Sequence, residues 1–163
     1  MPRAAVLVAA LAALALAVGT AFGAEAAEAP SRAEYVVRLE EICKPGYQAT
    51  KRAVRGVRRL VRDERLPAAA PRVARAKRIF AGTVQRIGGV PRPEADRAAL
   101  SRWFAALGHE IGALDRTASA LRADDVARFE RVWADFIHQG NKANNVVVSF
   151  GFNYCNFKPT GFQ

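Results

Sequence analysis

The sequence predicts an all-α protein: a four-helix up-down-up-down bundle, closed by one disulfide and preceded by a signal peptide. Three observations carry that prediction. Four stretches place apolar residues at alternating steps of three and four, with Pro and Gly punctuation between them. An uncharged apolar run follows Met1-Pro2-Arg3. The two cysteines, Cys43 and Cys155, lie near opposite ends of the remaining chain. With 163 residues there is room for one domain. The reading divides the chain into a signal peptide (1–26), a bundle domain (27–157) and a C-terminal tail (158–163).

The leader has a positive n-region at Arg3, an h-region from Ala4 to Val18, and small residues around two candidate cleavage points, after Gly23 and after Ala26. An uncleaved anchor is the alternative, since residues 4–24 carry no charge. The run is mostly Ala, a weakly hydrophobic residue, which favours cleavage and leaves no membrane span in the mature chain. On either reading the body lies outside the cytoplasm, secreted or in the cell envelope. There an even cysteine count implies a bridge. Joining Cys43 to Cys155 would close a loop of 112 residues, worth about 4–5 kcal/mol in the chain-entropy account.

The first helix opens at Ser31, with Glu34 three residues on as a capping box. Its apolar seam is Val36, Leu39, Cys43, Tyr47, Thr50, Val54, Val57 and Val61. Pro45-Gly46 predict a kink or two consecutive helices, with the stop before Leu66-Pro67. The second runs from about Pro71 to Ile87 through Val73, Ala76, Phe80 and Val84, ending at Gly88-Gly89. Pro93 suits the first position of the third helix, with Glu94 and Asp96 facing its positive end. That helix buries Leu100, Trp103 or Phe104, Leu107, Ile111, Leu114, Ala118 and Leu121. Asp124 is the expected cap of the fourth, whose seam is Val126, Phe129, Trp133, Phe136, Gly140, Ala143, Val147 and Phe150. Short connections favour the up-down-up-down path. That path brings the start of helix one beside the end of helix four, so both cysteines fall at one end.

Charge is unevenly spread. Residues 51–102 hold fifteen basic and four acidic side chains, whereas residues 27–50 are net −1 and residues 103–163 are balanced. Arg55, Arg58, Arg62 and Arg65 recur at helical spacing opposite the seam and form an outward ridge, joined by Arg75 and Arg78. Such a ridge attracts anionic lipid headgroups or envelope polymer. The plainer alternative is a solvated face. Nucleic acid is disfavoured by export and by the lack of a recognised motif.

Three further features bear on ligands. The segment Phe150-Gly151-Phe152-Asn153-Tyr154-Cys155-Asn156-Phe157 is rich in rings, which either offer a partner a platform or fold back as a plug; the plug is favoured. Asn144 falls near the fourth seam and needs hydrogen-bond partners if buried. A small apolar ligand could sit near Trp103, Trp133, Asn144, Phe152 and Tyr154. No catalytic or metal site is expected. His109 and His138 fall off the seams, and Asp135 with His138 makes only half of a di-iron pattern. Glu40 and Glu41 are adjacent and point to different helix faces, a poor acid–base pair. No Cys-x-x-Cys-His suggests haem and no Gly-x-Ser-x-Gly suggests a hydrolase, so neither cofactor nor enzyme is expected.

Through Tyr35 to Cys43, Val90-Pro91-Arg92-Pro93, and Asn141 to Cys155, the chain resembles a group of exported two-cysteine helical proteins of actinobacteria and their relatives. The resemblance implies the disulfide-bearing helical architecture and brings no activity, ligand or catalytic residue. The expected function is an envelope-binding module using its basic face, with a carrier of a small apolar ligand as the alternative.

Overall fold

The computed structural model describes residues 29–157; the leader and the last six residues, with the cleavage expectation, lie outside them. The described chain folds as α1 (Arg32–Ala53), α2 (Val57–Arg62), α3 (Leu66–Gly88), α4 (Arg97–Arg122) and α5 (Val126–Val146). One-turn 3-10 segments precede α4 (Glu94–Asp96) and follow α5 (Val148–Phe150). The four long helices make an all-α bundle, and no strand occurs among the described residues.

Helix α1 starts as the sequence predicts. The Ser31 hydroxyl accepts from the Glu34 N–H, and the Glu34 carboxylate accepts from the Ser31 N–H at 2.8 Å. Of the two alternatives at Pro45-Gly46, two consecutive helices do not occur. Pro45 is exposed and sits inside one continuous helix, so the backbone acceptor it leaves unpaired is on the wet side. Gly46 instead permits close approach of α3: a Cβ there would lie 2.3 Å from Thr83 Oγ1. The helix ends further on, where Gly56 takes a left-handed φ of 80° and starts the short α2.

Helix α3 begins five residues earlier than the pattern indicates, because Pro67 falls in the first turn, where a missing N–H costs nothing. The cap of α5 is Asp125 and not Asp124. The Asp125 carboxylate accepts from the Arg128 N–H at 2.9 Å, while Asp124 has φ 56° and completes the turn out of α4. The bidentate pair of Arg32 with the buried Asp96 ties the start of α1 to the start of α4, so those two helices run the same way.

Helix α3 packs against α1 and α4, and α4 against α5, but α1 and α5 barely touch. The chain after α5 occupies the space between them. It turns at Gly151 (φ 67°) and runs back into the bundle. There Phe152 stacks on Trp103 of α4 with ring centres 5.4 Å apart, and Phe157 meets Phe80 of α3 at 4.7 Å. Cys155 bonds to Cys43 of α1, their Cα atoms 5.2 Å apart. The expected disulfide is present, but Cys43 lies midway along α1 and not at its end. The returning tail carries Cys155 that far.

Candidate anion-binding face and groove

Arg55, Arg58, Arg62, Arg65, Arg75 and Arg78 are all exposed, as the ridge requires. They do not stand on one helix. Gly56 and the left-handed Glu64 (φ 55°) divide them among the α1–α2 turn, α2, the cap of α3 and α3 itself. None of the six makes an ion pair among the described residues; nearby, Arg59 pairs with Asp63 at 3.6 Å and Lys77 with Asp115 at 2.9 Å. These six guanidinium groups are therefore unpaired, although Asp63 and Glu64 lie between Arg62 and Arg65.

Two concavities near α2 are lined by arginines with no acidic residue among them. The first is an open cleft of about 570 Å³ with Arg52, Arg55, Arg72 and Arg75 in its walls and no acidic residue. Arg72 donates to the Arg55 carbonyl and so braces the turn. Gly56 is required there by its left-handed φ, and any Cβ would also push aside the Arg72 guanidinium, 2.9 Å away. Arg52 and Arg72 belong to the same basic run as the six ridge arginines.

The second concavity is a groove of about 350 Å³ between α2 and α5. Val57 and Val61 form one wall, Phe129 and Trp133 the other, and Val73 and Thr117 the floor. Phe129 and Trp133 are stacked, ring centres 6.1 Å apart. The Thr117 hydroxyl donates to the Ala113 carbonyl at 2.9 Å. Arg58 and Arg62 complete the lining.

The ligand site drawn around Trp103, Trp133, Asn144, Phe152 and Tyr154 is not assembled. Trp103 is fully buried beneath Phe152, which is itself 7% exposed. Tyr154 tilts against Tyr47. Asn144 donates to the Phe157 carbonyl at 3.4 Å, holding α5 to the tail. Trp133 lines the groove beside Thr117, fourteen residues along α4 from Trp103, or about 21 Å at 1.5 Å per residue. The rings of the tail are a plug, seated along the flank of the bundle.

Two acidic residues have roles that sequence reasoning missed. The Glu40 carboxylate accepts from three consecutive backbone N–H groups, those of Asn153, Tyr154 and Cys155, at 3.0–3.2 Å. No local signal could reveal this, since the donors are more than a hundred residues away. Glu110 is 2% exposed, and its Oε2 has no partner. Burial pushes its carboxyl up to about 8. Spacing held the clue: Glu110 is one heptad from Trp103 and one from Thr117, both buried. Burial likewise raises the Tyr35 phenol to about 12, against the opposing charge of Arg92.

Among the described residues no group of three or more His, Cys, Asp or Glu is placed to hold a metal ion, and no helix is long and apolar enough to cross a membrane. No family model, curated protein or solved structure matches the chain.

Proposed function

We propose that this chain is an exported cell-envelope binding module, of the two-cysteine helical group it resembles, that lays the basic face of residues 51–78 on an anionic surface. The carrying observation is the set of six exposed arginines on and around α2 that make no ion pair among the described residues. Unpaired guanidinium groups on one face attract phosphate and carboxylate over a Debye length of about 8–10 Å at ordinary salt. A disulfide spanning the bundle suits an oxidising compartment.

The test is cosedimentation with phosphatidylglycerol vesicles and with anionic wall polymer. Native protein should be retained at low salt and released at high salt, and neutral vesicles should retain none. Replacing Arg55, Arg58 and Arg62 together by Gln should weaken retention at least tenfold and leave the melting temperature nearly unchanged, because exposed charges contribute little to folding. Equal retention of variant and native protein at low salt ends this reading.

A further inference from the structure

We infer that the groove between α2 and α5 binds a free single-chain amphiphile with an anionic head, of the fatty-acid carboxylate type. This shares Arg58 and Arg62 with the surface reading and adds a ligand chemistry to it, but it stands on the groove.

The groove combines two properties that call for opposite ends of one molecule. Its walls are two valines and the stacked rings of Phe129 and Trp133. Its floor offers no polar group in need of a partner, since the Thr117 hydroxyl is satisfied within α4. A polar ligand there would lose its water and regain no hydrogen bonds. Arg58 and Arg62, in contrast, are one helical turn apart on α2, exposed and without a carboxylate partner. Guanidinium forks match a carboxylate in geometry as well as charge. No acidic residue lines this groove. The neighbouring recess, which shares Val61, Arg62 and Phe129 with it, carries Glu64, Asp124 and Glu130. An anionic head is therefore favoured beside Arg58 and opposed towards that recess.

Size selects the occupant. About 350 Å³ is at the small end of ligand sites, roughly 300–1,000 Å³. A helix with its side chains is about 10–12 Å across, so a single 5.4 Å turn takes up roughly 500 Å³, more than the groove holds. One alkyl chain does. Apolar walls with a few placed polar groups are the usual lining of such sites.

The test uses the full chain in vesicle-free buffer, titrated with monomeric dodecanoate and, separately, with dodecanol, by isothermal titration calorimetry. Dodecanoate should bind one-to-one and at least tenfold more tightly than the alcohol. Replacing Arg58 and Arg62 by Gln should remove that preference, and Val61→Trp should weaken both ligands at least tenfold by filling the groove. Absence of dodecanoate binding, or equal affinity for acid and alcohol in the native protein, overturns the inference without relying on any variant. Vesicle retention without dodecanoate binding sinks the groove and leaves the surface reading standing. Dodecanoate binding without vesicle retention does the reverse.

Discussion

Replacing Glu110 by Gln should stabilise this protein, and by an amount that grows with pH. Glu110 sits on the buried stripe of α4 with one oxygen unpartnered and 2% of its surface exposed. Its carboxyl is raised by burial from 4.5 to about 8. In the unfolded chain it ionises near its ordinary value. Between about 4.5 and 8 the unfolded state therefore binds fewer protons than the folded one, so stability falls as pH rises through that window. Below the window both states are protonated and nothing is lost. Above it both are ionised and the full cost is present. At about 1.4 kcal/mol per pH unit, the cost reaches on the order of 3 kcal/mol at pH 7 and on the order of 5 kcal/mol above pH 8. Gln has no proton to exchange and keeps nearly the same shape. Thermal melts of native protein and Glu110→Gln at pH 4.5, 7 and 8.5 isolate this group, because other titrations cancel in the difference. The variant should show little advantage at pH 4.5 and melt roughly 10 °C higher at pH 7, taking about 3 °C per kcal/mol for a domain of this size. A difference that does not change with pH, or a variant that loses ground as pH rises, would mean that Glu110 is ionised and paired in the fold, and the argument would fail.

The tail supplies three more tests. Phe152→Ala, which removes a ring lying between Trp103 and Phe150, should cost on the order of 3 kcal/mol in a denaturant melt; a loss below about 0.5 kcal/mol, the size of a surface change, would contradict the plug. Breaking the Cys43–Cys155 bridge by Cys155→Ser frees a loop of 112 residues and should lower stability by up to about 4–5 kcal/mol, while intact mass of the native protein should rise by about two hydrogens on reduction. Glu40→Gln should cost about 1.5–3 kcal/mol, as for hydrogen bonds to a charged group, and speed hydrogen exchange at the Asn153, Tyr154 and Cys155 amides. The exposed Glu41 is the control, and equal exchange in Glu40→Gln and Glu41→Gln would show that the carboxylate does not hold the tail.

What the sequence determined by itself is local or combinatorial. The capping box at Ser31, the apolar steps of three and four, and the Pro and Gly punctuation act within a few residues, so the four long helices were legible from them. Two cysteines admit one pairing, and the charge of residues 51–102 is a matter of counting. The misplaced boundaries share one cause: punctuation residues depend on where they fall. Pro45 is tolerated on the wet face of α1, and Pro67 in the first turn of α3, whereas Gly56 breaks the chain because it adopts a left-handed φ. Tertiary structure alone decided what lies between α1 and α5. Residues of the tail enter there, and their path sets Glu40 against three distant amides and covers Trp103. The same holds for α2, whose residues share a groove with Phe129 and Trp133 of α5. A periodic pattern states which face of a helix is apolar; it does not state what covers that face. That depends on residues remote in sequence and on the loss of water from them together, and it is why a carboxylate such as Glu110, which reads as solvent-facing by its charge, is held in the core.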